Sequence, residues 1–195
     1  PGAGVFFRYN PNPRIGYYLG LSGGQTFGYD SISSNPYQLK RNLSFRSNIY
    51  DFTGRIDFNF LPLEREKAKY WFTPYTFIGL SVYYFNPQAY YDDQWVDLQP
   101  LGTEGQYIGY KKPYSNFQFD LMALVGIKYN ITERVSIALE GVYHQTFTDY
   151  LDDVSGNYVY PQDLSKLSPT AQILQNRANA GRYPDHQWDF IEGQR

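Results

Sequence analysis

Charged and ionisable side chains recur at alternate positions in several stretches of the chain, where they could form one buried network. They are Asp51, Arg55, Asp57, Asp120, Lys128, Arg134, Glu140 and His144. A histidine beside a carboxylate, such as His144 beside Asp120, could relay a proton or activate a nucleophile. The same set could instead be a packed group of salt bridges that satisfies the charges of a narrow interior. Because no serine lies in a recognisable nucleophile motif, we favour the structural role and expect no enzyme activity.

These side chains alternate with apolar ones, which is typical of β-strands whose two faces meet different surroundings. In residues 117–129, one face is wholly apolar from Phe117 through Leu121 to Tyr129, whereas the other carries Asp120 and Lys128. At a tilt near 40° this stretch would rise roughly 30 Å, the height of a bilayer core with its interfaces. Similar alternation predicts strands at residues 3–9, 15–29, 50–60, 72–84 and 135–147.

Composition excludes several other classes of protein. The chain has 195 residues, 19% aromatic residues, no cysteine and a formal net charge of −2. No apolar run approaches the roughly 18 residues of a membrane helix, and abundant aromatic residues are not typical of disorder. The charge balance argues against a nucleic-acid partner. Without cysteine and with two histidines, the chain offers little for a metal site. We expect no cofactor and no small-molecule substrate.

The connections between the predicted strands alternate in length. The short ones are residues 10–13, 62–69 and 130–133, and the long ones are residues 30–41, 86–113 and 150–187. In bacterial outer-membrane barrels, short turns face the periplasm and long loops face outside. The sequence therefore predicts an all-β, antiparallel, up-and-down transmembrane β-barrel in the bacterial outer membrane, as a single domain over residues 1–195. A soluble barrel or sandwich is the alternative, but nothing in such folds enforces this alternation.

The strand count predicts a missing strand. Six strands are clear, and a seventh could begin at Trp188 and continue through Phe190. Since single-chain bacterial barrels close with even numbers of strands, we expect eight, with the first upstream of residue 1. The chain is therefore expected to be incomplete. We also expect a short helix within residues 164–177, interrupted at Pro169.

Three stretches carry a family resemblance. They read RNLSFRSN at 41–48 into FNFLP at 58–62, PYTFIG at 74–79 through DLQPLGTEG at 97–105, and GIKYN at 126–130 through TFTDYLDDV at 146–154. Over most of residues 1–160 the chain resembles the PorG-like outer-membrane proteins of the type IX secretion system of Bacteroidetes. That resemblance implies an eight-stranded barrel with a non-enzymatic role. Its partners would be outer-membrane lipid and the periplasmic ring of the machinery with its lipoprotein.

Under this resemblance, charged and polar residues of the turns and loops are candidate partner contacts. Such residues are, however, more often simply exposed to solvent. Those in the turn are Glu64, Arg65, Glu66, Lys67 and Lys69, and those in the loops are Asp97, Gln99, Glu104, Asp149, Asp152 and Asp153. The residues alone leave two other functions open. A surface adhesin or accessory subunit of another outer-membrane complex would bind through the long loops, and a barrel lipase or acyltransferase would need His144.

Overall fold

The described residues form one antiparallel β-sheet of seven strands. The computed structural model describes residues 1–35, 39, 43–62, 71–132, 135–153 and 159–175. Across the sheet the strand order is β1-β2-β3-β4-β6-β7, and the short β5 pairs with the end of β4. The strands are β1 (Gly2–Tyr9), β2 (Ile15–Tyr29), β3 (Ser44–Asn59), β4 (Phe72–Tyr91), β5 (Gln94–Asp97), β6 (Phe117–Asn130) and β7 (Ser136–Thr146).

The predicted all-β, antiparallel fold is confirmed, and β2 has the bounds that the alternation indicates. Two strands are longer than predicted, since β3 begins at Ser44 and β4 continues to Tyr91. Residues 86–91 were expected to be loop, but they pair with β3 and β5. Pro87 has no N–H to donate, but its carbonyl accepts a hydrogen bond from the amide of Leu98 at 2.9 Å. Pro87 conceals this extension, because a proline within a run argues against a strand with neighbours on both sides.

The two faces of the sheet are inverted relative to a sheet in water. Asp57 and Lys128 are 0% and 5% exposed on one face, which we call the inner face. Val125 and Leu139 are 74% and 79% exposed on the other, the outer face. An antiparallel sheet with one side in water buries its apolar side. Here the period of two is kept but the polar side is the buried one.

The sheet curls around its inner face. Arg55 on β3 and Glu140 on β7 approach to 2.9 Å, although β7 is three strands away from β3 in the sheet. In a flat sheet those strands would lie roughly 14 Å apart. Within the described ranges β1 pairs with β2 alone and β7 with β6 alone, so the described sheet is open at these edges.

Beyond the ends of the long strands lies a packed substructure, the loop module, which comprises residues 89–116, 148–153 and 159–175. It contains β5, three segments of 3₁₀ helix at Gln99–Leu101, Gln106–Ile108 and Pro161–Lys166, and the helix α1 (Pro169–Gln175). A further 3₁₀ segment, Asp30–Ile32, follows β2. The module has its own apolar cores, which contain Ala89, Leu98 and Leu174 in one cluster and Val159, Leu167 and Ala171 in another.

Helix α1 begins at Pro169 rather than being interrupted there. Proline suits the first position of a helix because its missing N–H would be unpaired there. Ser168 caps this end, since its Oγ accepts a bond from the amide of Ala171 at 3.2 Å. Residues 176–177 of the predicted helix and the predicted strand at Trp188 lie outside the described residues. Among the helices of the described segments, none is long and apolar enough to cross a membrane.

Candidate functional site

Asp57 is the centre of the polar network on the inner face. Its carboxylate is wholly buried and lies 3.1 Å from Arg8 on β1, 3.1 Å from Arg55 on β3 and 2.9 Å from Lys128 on β6. Strand alternation turns Asp57 inward and its neighbour Ile56 outward, where Ile56 is 52% exposed. One carboxylate thus joins three cations from three strands.

Glu140 is the second carboxylate of this network. It accepts bonds from Nη1 and Nη2 of Arg55 at 3.1 and 2.9 Å, and a third from the Tyr75 hydroxyl. A bidentate pair of this kind fixes orientation as well as charge. Arg55 also lies over the rings of Tyr18 and Phe77, at 4.0 and 3.9 Å from their centres. Arg55 lies between Asp57 and Glu140, and its ion pair with Glu140 connects β3 to β7 across the inner face.

A second cluster lies on the inner face nearer the loop module. Nδ1 of His144 is 2.5 Å from Oδ2 of Asp120, so the predicted contact between them is present. The register is diagonal, because Asp120 lies opposite Thr146 whereas His144 lies opposite Met122. Asp51 belongs to the same region.

The Asp51 carboxylate accepts bonds from the hydroxyls of Ser22 and Thr53, the latter at 2.7 Å. Its partners are therefore neutral. The predicted single network is thus two clusters, one centred on Asp57 and one containing Asp51, Asp120 and His144. Arg134 lies outside the described residues.

Arg8, Tyr75 and Tyr83 also lie on the inner face, but they were not among the predicted members of the network. Arg8 lies between Phe7 and Tyr9 in a strand whose alternation is short, yet its inward position could have been found from that pattern. Tyr75 and Tyr83 carry no comparable signal, since tyrosine occurs on both faces of the sheet. Tyr84, the neighbour of Tyr83, points to the opposite side.

The loop module buries two of the acidic residues that were expected to contact a partner. Glu104 is 1% exposed and pairs with Lys111 at 3.1 Å. Asp153 is wholly buried and accepts bonds from the hydroxyls of Thr103 and Tyr114 at 2.5 and 2.7 Å. Neither carboxylate is accessible to a partner, because both are buried within the module. Asp153 also joins segments that are distant in the chain.

The remaining loop candidates differ in accessibility. Asp97 is exposed, but it accepts bonds from Asn86 and Gln88 at 2.9 and 2.6 Å within the β4–β5 hairpin. Gln99 is half-buried and donates to the carbonyl of Tyr114 at 3.1 Å. Asp149 is exposed and Asp152 half-buried. The turn candidates Glu64, Arg65, Glu66, Lys67 and Lys69 lie outside the described residues.

Two ion pairs in the loop module shift the pKa values of their members. Burial lowers the pKa of Lys111, but the hydrogen bond and charge of Glu104 together with Tyr150 outweigh this effect and leave the pKa above its ordinary value. Lys166 and the hydroxyl of Tyr110 each lie 2.6 Å from Asp163. Both hydrogen bonds, that of Lys166 first, lower the pKa of Asp163.

Comparison with known families and proteins gives one match. Residues 1–167 match the family described as Domain of unknown function (DUF6089). No curated protein and no solved structure matches the chain. Within the described ranges, histidine, aspartate and glutamate side chains do not gather in groups of three or more that could hold a metal ion.

Proposed function

The chain is thus a member of the DUF6089 family, and we propose that it is a non-enzymatic outer-membrane β-barrel subunit of the type IX protein secretion machinery. In this role it anchors the periplasmic ring and its lipoprotein to the outer membrane of Bacteroidetes. The observation that carries the membrane assignment is the inverted sheet, with its apolar outer face and charged inner face. The assignment to the secretion machinery depends on the resemblance to PorG-like proteins.

An apolar outer face this extensive requires a nonaqueous surrounding or a large protein partner. Side chains such as Val125, Ile78 and Leu139 expose 74%, 67% and 79% of their surface. Contiguous apolar patches of more than a few hundred Å² are rare on soluble monomers. Lipid is the simplest cover, because the 14 residues of β6 would rise roughly 33 Å at a tilt near 40°.

We infer that the barrel closes with eight strands. Six long strands are described, and both edge strands line one inner concavity, with Arg8 on β1 and Glu140 on β7 among its walls. Two further strands between β7 and β1 would complete an even number and remove both open edges. The ion pairs across the inner face already hold the two edges in the curled form that this closure needs.

The two ends of the proposed barrel have different roles. The short connections at residues 10–14 and 131–135 lie at one end, and the loop module lies at the other. By the usual orientation of outer-membrane barrels, the short turns are periplasmic and the module is extracellular. Contacts with the periplasmic ring therefore belong to the short turns, of which residues 64–69 are the most charged.

Co-purification in mild detergent tests this role. Replacing residues 64–69 with a short neutral turn should remove the ring proteins from the purified complex while the barrel still folds, as judged by heat-modifiable migration. Lys112→Gln, a charge change at an exposed residue of the opposite end, is the matched control and should keep the ring. Recovery of the full ring with the neutral turn would contradict the proposed contact. A native complex that contains no secretion component would contradict the function itself.

The loop module supports a second candidate function. A surface adhesin, or an accessory subunit of another outer-membrane complex, would bind through a rigid extracellular surface of this kind. Changing the exposed residues Asp149 and Tyr107 to lysine and serine separates the two functions. Loss of surface binding with normal cargo secretion favours the adhesin, and loss of secretion with a folded barrel favours the machine subunit.

A further inference from the structure

The two inner-face clusters carry opposite charge. The cluster around Asp57 combines the cations Arg8, Arg55 and Lys128 with two carboxylates, Asp57 and Glu140. This end of the inner face therefore has a positive excess. Its three cations pair with both carboxylates, so this cluster does not need a further cation.

The second cluster has the reverse balance. Asp51 and Asp120 both face inward there, and in the described part of the chain their polar partners are Ser22, Thr53 and His144. Neither carboxylate forms an ion pair with a described lysine or arginine. Asp120 contacts His144 at 2.5 Å, whereas the partners of Asp51 among the described residues are neutral hydroxyls. The cluster therefore keeps a negative excess, which favours a cation that comes from elsewhere.

Both carboxylates line one cavity of about 600 Å³. That volume falls within the range of small-molecule sites, about 300–1,000 Å³. Phe77 and Met122 contribute apolar walls, and Tyr83, His144 and the two carboxylates contribute polar ones. Arg55 also lines the cavity, but its guanidinium is paired with Asp57 and Glu140. An apolar wall with a few convergent polar groups is the usual composition of a ligand site.

Two buried oxygen atoms at this cavity have no partner among the described residues. They are the hydroxyl of Tyr83, a residue 5% exposed, and Oδ1 of Asp120, a residue 4% exposed. Asp120 lies opposite Ser81, and Tyr83 is two residues further along β4 on the same face. A buried acceptor without a donor costs about 1–3 kcal/mol. Both residues line the same cavity, so both oxygen atoms are available to a donor group bound there.

We propose that this cavity binds a small organic cation with a primary ammonium group. The ammonium donates to Oδ1 of Asp120 and to the oxygen of Tyr83, and its apolar body lies along Phe77 and Met122. Two carboxylates repel an anion, and a neutral donor forms weaker bonds with a carboxylate than an ammonium does. The aromatic rings of Tyr83 and Phe77 also attract a cation. This site does not depend on the proposed role in secretion.

Binding of benzylammonium to the full chain in detergent micelles, measured by calorimetry, tests the proposal. Benzyl alcohol and phenylacetate are matched probes without the positive charge, and we expect each to bind at least tenfold more weakly. Asp120→Asn should weaken benzylammonium binding about tenfold or more, since it removes a charge-assisted bond. Asp163→Asn, which removes a carboxylate from the loop module, should leave binding unchanged.

A second variant guards against misfolding. Tyr83→Phe keeps the ring but removes the hydroxyl, and we expect threefold to tenfold weaker binding with unchanged heat-modifiable migration. Equal binding of the three probes, or wild-type affinity in Asp120→Asn, would overturn the proposal. Displacement of benzylammonium by equimolar sodium or calcium would make this an inorganic cation site and also overturn it. So would a wild-type protein that binds none of the probes, since another part of the chain would then neutralise the carboxylates.

Discussion

The strand region and the loop module bury opposite kinds of side chain. In the strands, Asp57 and Lys128 are buried while Val125 is 74% exposed. In the loop module, Leu98 and Leu174 are buried at 4% and 2% exposure, as in a protein folded in water. The chain therefore changes from one pattern of burial to the other within a few residues of the strand ends. A difference this sharp supports the proposal that the strands lie in lipid and the loop module in water.

Glycine also serves the two regions differently. On the inner face, a Cβ at Gly79 would lie 2.7 Å from Cβ of Arg55, so the missing side chain makes room for the arginine. In the loop module, Gly105 has a φ of +78°, a conformation that other residues rarely adopt. In the strands glycine provides space, and in the module it provides a turn.

The largest expected effect comes from removing the centre of the inner-face network. Asp57→Ala leaves Arg8, Arg55 and Lys128 without their shared carboxylate, and we expect a loss of about 3–5 kcal/mol in the free energy of unfolding. Denaturant unfolding in phospholipid vesicles measures it. Asp57→Asn should lose stability for the same reason. Adding Lys128→Met to Asp57→Asn should recover part of that loss, because both members of one ion pair are then uncharged. A double variant less stable than Asp57→Asn alone would contradict this account.

A charge placed on the outer face distinguishes lipid from water. Val125→Arg should cost about 2–4 kcal/mol in vesicles, because position 125 lies near the middle of β6 and would face the bilayer centre. Tyr107→Arg changes an exposed residue of the loop module, and it should alter stability by no more than about 0.5 kcal/mol. Unfolding of both variants in the same vesicles makes the comparison. Equal small effects would mean that water covers the outer face.

A smaller effect is expected within the loop module. Tyr114→Phe keeps the ring stacked between Phe85 and Tyr150 but removes the hydroxyl that donates to Asp153. We expect a loss of about 1.5–3 kcal/mol in the local stability of the module, since the bond is to a buried carboxylate. Amide hydrogen exchange of residues 148–153 and 159–175 should accelerate while exchange in β6 stays the same. Uniform acceleration across both regions would show that they unfold together.

The smallest expected effect is a pH dependence at the surface of the module. The pKa of Asp163 is lowered by Lys166 and Tyr110, so its carboxylate stabilises the fold above the ordinary value of 3.8. That stabilisation is lost as the pH falls through the lower folded value. The carboxyl-carbon NMR shift of Asp163 should titrate below pH 3.8, and Lys166→Met should move the midpoint upward. Lys112→Met, an exposed control, should leave the midpoint in place.

The sequence alone indicated the strands and the direction of their side chains. Alternation with a period of two determines which residues share a face whatever the partner strand, so β2 and β6 were located to within one residue. It also separated Asp57 and Lys128 from Val125 before any contact was known. The extension of β4 escaped because Pro87 argues against a strand with neighbours on both sides. Helix α1 was expected, but its start was misjudged because proline was taken as a break.

Only the tertiary structure decided which charges meet. Arg55 pairs with Glu140, 85 positions away, because the sheet curls, and no local pattern encodes that curl. The same limit hid the burial of Glu104 and Asp153, since burial depends on how the loop segments pack and Asp153 joins segments from different parts of the chain. Side-chain direction is a local property of a strand, so the sequence determined the inner and outer faces. Ion pairing depends on distances set by the whole sheet, and the folded chain alone divides the charges into one satisfied cluster and one acidic cavity.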